Sequence, residues 1–234
     1  TGEQRFELFG VQAVNKDGES DIMPSNSIIM GDAYTLPFAD SFAGGKLAYN
    51  IWYSERTGAN GFALNDKTSA DNDGGCISFQ AAEAKAIASF CSGKIALGGC
   101  DSPVLTFDYY CNPGSEDVLL AEINRAYIDT TAVMTIDFSK ETGVAGWRHA
   151  VVSLQQFKSA PYIQLAFLSQ IAKAGNAVMI DNIKIENNPE LSVDGIITEK
   201  TEEKKVYDIN GILQNAGKLH KGLYITGGKK IVIK

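Results

Sequence analysis

Short apolar runs, separated by glycine, asparagine and aspartate, recur along most of this 234-residue chain. Representative runs occupy residues 76–79, 104–110, 118–123, 133–138, 149–154, 162–168 and 178–185. Runs of this length, with alternating polarity and turn residues between them, are typical of strands in β-sandwiches and barrels. We therefore predict an all-β protein whose residues 35–190 form a jelly-roll β-sandwich. Residues 80–90 are rich in good helix formers, so they predict either a helix or two strands joined by a short loop.

Two smaller segments flank the predicted sandwich. Residues 1–34 hold strand-like runs at 5–15 and 27–30, with turn-forming residues at 16–20, and predict a terminal hairpin. Residues 191–234 hold a charged stretch at 199–205 and then short apolar runs around Asn210-Gly211 and Gly227-Gly228. Such dipeptides accept the backbone conformations of tight hairpin turns. They predict a small antiparallel C-terminal β domain.

Composition limits the classes of partner. The net charge of -7 gives an acidic surface that repels phosphate backbones, so nucleic acid is not an expected partner. No apolar run approaches the roughly 20 residues of a membrane-spanning helix, so we predict no transmembrane segment. The sequence begins at Thr1 without an initiator methionine or a signal-peptide pattern, and we expect that a leader has been removed. The oligomeric state is not readable from the sequence.

Four cysteines lie within one short stretch, at Cys76, Cys91, Cys100 and Cys111. None forms a CxxC pair, which argues against zinc. An even number of clustered cysteines favours disulfides in an oxidising compartment. The alternative is four buried thiols that act as small apolar side chains. Three complete pairings exist, and the sequence does not choose among them.

Two aspartates interrupt strand faces that are otherwise apolar. By strand alternation Asp40 shares a face with Phe38 and Phe42, and Asp181 shares one with Ile183. A buried carboxylate is costly unless it is paired or bound to a cation, and Ca²⁺ prefers oxygen ligands. We predict Asp40 and Asp181 as ligands of a structural calcium ion. The alternative places both at strand ends, solvated or bonded to loop backbone.

A second acidic group, Asp66, Asp71, Asn72 and Asp73, lies in one loop that ends in two glycines. It lacks the full spacing of an EF-hand calcium loop. We predict a solvated loop there.

Three aromatic residues are candidates for stacking on sugar rings: Tyr49, Trp52 and Tyr53. Neighbouring residues on a strand face opposite sides, so we expect one of Trp52 and Tyr53 to pack in the core and the other to be partly exposed. Trp147 precedes an apolar strand, and we predict that it packs in the core.

No catalytic constellation is apparent. The chain has only two histidines, His149 and His220, and it lacks the G-x-S-x-G, HExxH and phosphate-binding glycine-rich patterns. Acidic residues are plentiful, so a glycosidase-like carboxylate pair is not excluded by sequence. We predict that the chain is not an enzyme.

The C-terminal segment resembles the sorting domains at the end of Bacteroidetes secreted proteins. The matching residues are Val206, Tyr207, Asp208, Asn210, Gly211, Lys221, Gly222, Tyr224, Ile225, Gly228 and Lys234. Ile212 departs from the pattern, where an arginine is usual. The resemblance implies a secreted protein or one presented at the outer-membrane surface.

The middle segment resembles MAM-like jelly rolls of the cleaved-adhesin and choice-of-anchor type. The resemblance is carried by LPFADSF at 36–42, SPVLTFDY at 102–109, the strand at 147–154 and IDNIKI at 180–185. Asp40 replaces the usual glutamate of the first motif. The resemblance implies a structural calcium between the first and last of these strands. It also implies binding to carbohydrate or protein surfaces.

Residues 10–20, GVQAVNKDGES, are similar to the closing hairpin of a fibronectin type III domain.

Taken together, these features predict a non-catalytic adhesion or binding module whose partner is a glycan or a host or bacterial surface protein. The alternative is a carbohydrate-binding accessory module of a larger glycoside hydrolase or peptidase.

Overall fold

The structure is a computed structural model that describes residues 3–57, 61–125, 129–191, 196–199, 206–208, 213–214, 222–226 and 229–233. Contacts divide the chain into two compact units, Thr1–Ile197 and Thr198–Lys234. The described residues form strands and two short 3₁₀ helices, Phe138–Lys140 and Gln155–Phe157. The first nine strands are β1 (Arg5–Glu7), β2 (Gly10–Val11), β3 (Val14–Asn15), β4 (Gly18–Glu19), β5 (Met23–Pro24), β6 (Ile28–Met30), β7 (Phe38–Asp40), β8 (Trp52–Thr57) and β9 (Ala63–Asn65).

The remaining strands carry most of the sandwich and the C-terminal unit. They are β10 (Cys76–Gln80), β11 (Ala86–Ser92), β12 (Pro103–Cys111), β13 (Val118–Arg125), β14 (Asp129–Asp137), β15 (Gly146–Ser153), β16 (Gln164–Ile171), β17 (Ala177–Asn187), β18 (Ile196–Glu199), β19 (Val206–Asp208), β20 (Leu213–Gln214), β21 (Gly222–Thr226) and β22 (Lys229–Ile233).

Two antiparallel sheets make up the β-sandwich of the larger unit. One has the order β18-β15-β12-β17-β10-β9, with β7 beside β17, and the other has the order β14-β13-β16-β11-β8. Their inward side chains form one apolar core, in which Phe107 of β12 meets Phe167 of β16 edge to face at 4.9 Å. The all-β fold class predicted from the sequence is confirmed. Among the described residues, no helix is long and apolar enough to span a membrane.

The helix-prone stretch at 80–90 is the end of one strand, a short turn and the start of another. β10 ends at Gln80, and β11 begins at Ala86 in the other sheet. Ala81, Ala86 and Ala88 are buried in the core between the sheets. Burial of these alanines outweighs their helix propensity, because propensity differences are a fraction of a kilocalorie per residue.

β17 changes neighbours half-way along its length. Residues 177–180 pair with β10, and residues 183–185 pair with β7. Between them Asn182 adopts a left-handed conformation (φ 49°), and the register with β12 shifts between Thr106 and Asp108. This bulge lets the consecutive residues Ile180 and Asp181 both be buried, which strict alternation forbids. Asp181 therefore faces the gap between β10 and β7.

The amino-terminal segment is attached to the sandwich at a few points. β1 pairs with β6, and the buried Gln4 side chain accepts a hydrogen bond from Lys94 N and donates one to Lys94 O. Of the predicted turn at 16–20, residues 16–17 join β3 and β4, and Gly18 and Glu19 form β4. Farther along, Val11 and Met23 are exposed. Contacts place this segment in the same unit as the sandwich, and the predicted boundary at residue 34 stays a prediction.

The C-terminal unit contains a four-stranded sheet of order β20-β19-β21-β22. β19, β21 and β22 fall on the three apolar runs from which the C-terminal strands were predicted. The turns predicted at Asn210-Gly211 and Gly227-Gly228 lie outside the described residues, and the boundary at residue 191 stays a prediction.

Two sequence-based interpretations of individual side chains are wrong. All four cysteines are buried and free, so the prediction of disulfides is wrong and the alternative of buried thiols is the one observed. Trp147 is partly exposed and packs edge to face on Tyr110 at 5.7 Å. Tyr110 alternates with the core residue Tyr109, and register places Trp147 directly opposite Tyr110, on the side away from the core.

Candidate functional site

The carboxylate of Asp181 is buried where β17 changes neighbours. The residue has no exposed surface, and its two oxygens accept hydrogen bonds from the backbone N–H groups of Ala70 and Asn182, both at 2.7 Å. The Ala70 bond shows that the loop at 66–75 folds over the gap between β10 and β7. The loop thereby brings its own acidic residues to Asp181.

Asp71 and Asp73 complete a group of three carboxylates with Asp181. One oxygen from each residue lies within 4.8 Å of the other two. Asp73 Oδ1 is buried and has no hydrogen-bond partner among the described residues. A buried carboxylate oxygen without a donor is unfavourable, so this atom requires a further partner. We call these three residues the Asp181 group.

The electrostatics of the Asp181 group favour a positive charge. Burial raises the pKa of Asp181 to about 6, and the charges of Asp73 and Asp71 add to the rise. The hydrogen bonds from the two backbone N–H groups act in the opposite direction and lower the pKa. Burial also raises the pKa of the neighbouring Cys76 thiol, with Asp181 and Asp73 adding to that rise. The cause common to both groups is negative charge in a partly desolvated place.

Asp40, the other predicted ligand, is buried but lies outside this group. Its Oδ1 accepts a hydrogen bond from Phe42 N at 3.0 Å, and its Oδ2 accepts bonds from Ala48 N and the indole Nε1 of Trp52, both at 2.9 Å. Burial raises its pKa, and these three bonds act in the opposite direction. The protein itself thus supplies donors to both oxygens.

The turn that follows Asp40 crosses the loop at 66–75 at Gly75. A Cβ placed on Gly75 would lie 1.7 Å from the carbonyl oxygen of Phe42, and Gly44 N donates a hydrogen bond to Asp73 O at 3.3 Å. Only glycine permits this approach of two backbones. The turn after Asp40 is therefore in direct contact with the loop that carries Asp71 and Asp73.

The residues of the Asp181 group fit a hard divalent cation. All three supply carboxylate oxygen, the ligand type that Ca²⁺ prefers, and Asp73 offers an oxygen that no described group uses. The sequence predicts a solvated loop for Asp71 and Asp73. Their approach to Asp181 depends on the fold of residues 66–75 over a gap in the sheet, for which the sequence carries no signal.

Of the three predicted ligand-binding aromatics, Tyr49 lines a cleft of about 370 Å³. Its ring stacks on Phe38 at 4.2 Å and lies 4.6 Å from the ring of Tyr34. The other walls include Glu3, Asp32 and Asn50, and these three also line a neighbouring opening. We call this the Tyr49 cleft. It combines two aromatic rings with carboxylate and amide groups.

Trp52 and Tyr53 lie on opposite sides of β8, as strand alternation predicts. Trp52 is 9% exposed and stacks on Phe90 at 4.5 Å with an interplanar angle of 7°, so a ligand does not reach its ring in this conformation. Tyr53 points outward and meets Phe6 edge to face at 5.2 Å. The three aromatics therefore do not form one surface, and the ligand-binding role of Tyr49 and Tyr53 stays a prediction.

The fold is similar to that of several solved structures. The K1 cleaved adhesin domain of Lys-gingipain from Porphyromonas gingivalis W83 is 16% identical, with a TM-score of 0.50 over 64% of this chain and 98% of that domain. The glycoside hydrolase domain of Endo-D from Streptococcus pneumoniae R6 is 13% identical, with a TM-score of 0.50 over 68% of this chain and 29% of that one. No protein-family model and no curated sequence matches the chain. At these identities the likeness establishes the β-sandwich fold.

Proposed function

We propose that this chain is a non-catalytic binding module of a secreted or outer-membrane-surface bacterial protein, and that it binds glycans in the Tyr49 cleft. The observation that carries the proposal is the pairing in that cleft of two tyrosine rings with Glu3, Asp32 and Asn50. Sugar rings present apolar faces that stack on aromatic rings and hydroxyl groups that bond to carboxylates and amides.

Three further features support this proposal. The Lys-gingipain domain that shares the fold is a cleaved adhesin domain, and the C-terminal residues resemble sorting domains of secreted proteins. Burial raises the pKa of all four cysteine thiols, which makes them poor nucleophiles and argues against a cysteine-based catalytic site.

A glycan array followed by titration of the best ligand tests the cleft. Tyr49→Leu keeps an apolar side chain against Phe38 but removes the aromatic face, and we expect affinity to fall about tenfold. Tyr49→Phe keeps the ring and should bind within about twofold of the original protein. Tyr110→Leu alters a partly exposed tyrosine of β12, which does not line the cleft, and is the matched control. Equal affinity of the Tyr49→Leu variant and the original protein would contradict the placement.

We propose further that the Asp181 group holds a structural calcium ion, with Asp71, Asp73 and Asp181 as ligands. The unpartnered Asp73 Oδ1 and the raised pKa of Asp181 support this assignment. A bound cation would neutralise three neighbouring carboxylates and fasten the loop at 66–75 to β17. Asp40 then holds the adjoining turn through its three N–H bonds, in place of the ligand role predicted from sequence.

Thermal unfolding with and without calcium tests the cation site. At a calcium concentration of 100 times Kd, binding contributes about 2.7 kcal/mol, which raises the Tm by about 5 to 10 °C for a protein of this size. Asp181→Asn and Asp73→Asn should each abolish the rise, and Glu83→Asn, which alters an exposed acid in the β10–β11 turn, should leave it intact. A Tm that is the same in chelator and in calcium would refute the assignment.

A further inference from the structure

The Tyr49 cleft shares a wall with the neighbouring opening, which has a volume of about 630 Å³. Glu3, Asp32 and Asn50 line both spaces, and Arg5 lines only the opening. Both volumes lie in the range of small-molecule binding sites. A ligand that extends from the tyrosine rings of the cleft into the opening therefore passes the side chains of the shared wall.

Gly31 brings the two acidic residues of the shared wall to neighbouring positions. Its backbone is left-handed (φ +97°), and a Cβ placed on it would lie 2.7 Å from the carbonyl oxygen of Glu3. Only glycine permits this approach of two backbones. Because Asp32 follows Gly31 directly, the contact sets two exposed carboxylates on one wall, although like charges repel each other.

The amide of the shared wall is already engaged within the protein. Asn50 Oδ1 accepts a hydrogen bond from the Tyr34 hydroxyl at 2.7 Å, and Asn50 Nδ2 donates one to Gln4 O. The Tyr34 hydroxyl in turn accepts a bond from Ile51 N at 3.1 Å. These bonds hold the wall in place before a ligand arrives, and they use donors that would otherwise bind it.

The basic side chain in the opening has an acidic partner of its own. Arg5 Nε donates a hydrogen bond to Glu7 Oε1 at 2.6 Å, so the positive charge of the guanidinium group is offset beside it. The carboxylates of Glu3 and Asp32 thus give the shared wall a negative charge. Ionised carboxylates accept hydrogen bonds and donate none, so the wall complements a ligand that brings positive charge and donors.

The charge of Glu3 reaches the aromatic end of the cleft. Burial raises the pKa of the Tyr34 hydroxyl, and Tyr49 and Glu3 add to the rise, while the bond from Ile51 N lowers this pKa. A carboxylate within electrostatic reach of an aromatic ring suits a cation that is attached to an apolar ring face. Cations are themselves attracted to the faces of aromatic rings.

We propose that the ligand of the Tyr49 cleft is an oligosaccharide with free amino groups, whose protonated amine lies against Glu3 and Asp32. This inference rests on the proposed glycan binding and names the class of glycan. A protonated amine combines a positive charge with three N–H donors in one small group, which matches two carboxylates. Acetylation of the amine removes the charge, and an acidic sugar is repelled.

Calorimetric titration of the full chain with a matched pair of oligosaccharides tests this inference. The pair is a trimer of glucosamine and its fully N-acetylated form, both at about pH 6, where an amino group is protonated. We expect the free-amine form to bind about tenfold more tightly. Added salt should reduce this preference, because it screens the charges of exposed groups.

Three variants separate charge from shape. Glu3→Gln removes one carboxylate at similar volume and should reduce the preference to about threefold or less. Glu83→Gln makes the same charge change at an exposed position in the β10–β11 turn and should keep the preference within about twofold of the original. Tyr49→Leu should weaken binding of both forms, because stacking on the ring does not depend on the amine.

The other outcomes decide against the inference and separate it from the proposed function. Equal affinity for the two forms, with both weakened in Tyr49→Leu, would overturn the amine preference and leave glycan binding in place. A preference that survives Glu3→Gln would show that the acetyl group is excluded by its size. Equal losses of preference in Glu83→Gln and Glu3→Gln would show attraction to the net charge of the protein. Binding of a lysine-rich peptide that Tyr49→Leu abolishes, with no binding of either oligosaccharide, would overturn both proposals.

Discussion

Two of the buried aspartates of the sandwich, Asp40 and Asp181, have opposite surroundings. Asp40 is 2% exposed and accepts three hydrogen bonds from protein N–H groups. Asp181 is fully buried, accepts two such bonds and faces two further carboxylates. The carboxylate of Asp40 is thus stabilised by hydrogen bonds from the protein itself. The carboxylate of Asp181 lies where an added cation would stabilise it. Burial of a carboxylate does not by itself indicate a metal site, since the number of donors around it decides.

Substitution of Gly75 should have the largest effect on stability, because the regions of both aspartates depend on the backbone crossing at this residue. Gly75→Ala would place a Cβ 1.7 Å from the carbonyl oxygen of Phe42, which forces two backbone segments apart. We expect a loss of more than about 4 kcal/mol in the free energy of unfolding, measured by urea denaturation, or failure to fold.

Gly74 provides the comparison for this variant. It has a left-handed backbone (φ +83°), but no atom lies within 4 Å of an added Cβ. Gly74→Ala should therefore cost only the backbone strain of about 1 to 2 kcal/mol. Similar losses for the two variants would show that conformation, and not contact, sets the requirement for glycine in this loop.

Asp40→Ala should have the next largest effect. It leaves the N–H groups of Phe42, Ala48 and Trp52 without their acceptor, at a cost of at least about 3 kcal/mol in urea unfolding. In chelator at about pH 4, where Asp181 is protonated, Asp181→Asn should change the free energy of unfolding by less than about 1 kcal/mol, because a neutral amide replaces a neutral carboxyl group. A larger loss for Asp181→Asn than for Asp40→Ala would reverse the comparison.

The pH dependence of stability gives a further difference between the two regions. The pKa of Asp181 is raised to about 6 in the folded state, so its protonated form is the one that folding favours. Its stabilising contribution is complete below about pH 4 and is lost as the pH rises to about 6. The loss is at most roughly 3 kcal/mol in chelator, since the pKa shift is about two units.

Urea midpoints between about pH 4 and 7 measure this contribution. The difference between the original protein and Asp181→Asn isolates Asp181, because the pKa of Asp40 is raised in both proteins. Calcium should remove the decline with pH, since a cation favours the ionised form. Identical pH profiles for the two proteins in chelator would contradict a raised pKa at Asp181.

The sequence predicted the sandwich because its strands are short apolar runs whose alternation is a local property. It identified Asp40 and Asp181 because each interrupts such a run. It did not identify Asp71 and Asp73 as neighbours of Asp181, since that contact needs a bulge at Asn182, a change of partner strand and a loop crossing at Gly75. None of these three features has a local pattern of apolar residues.

The sequence predicted the burial of some aromatic side chains correctly and of others incorrectly. Strand alternation correctly separated Trp52 from Tyr53, because both lie on one regular strand. The prediction for Trp147 was wrong, because it rested on the apolar residues that follow Trp147 and not on alternation. The register of β15 with β12 decides that case, by placing Trp147 opposite the outward Tyr110 and Arg148 opposite the buried Tyr109. The residues of a strand that point into the core are set by how the strand pairs with its neighbours. The sequence of one strand alone does not reveal them.

The Tyr49 cleft and the opening beside it take their walls from stretches that are distant in sequence, around residues 3–6, 31–37 and 49–51. The first residues are held to the sandwich by a few hydrogen bonds, such as those between Gln4 and Lys94. A molecule that contacts all three stretches would stabilise this attachment further. Arg5 lies on one of these walls, so the rate of trypsin cleavage after Arg5 becomes a measure of occupancy. Protection at that peptide bond would reveal a bound molecule before its chemical identity is known.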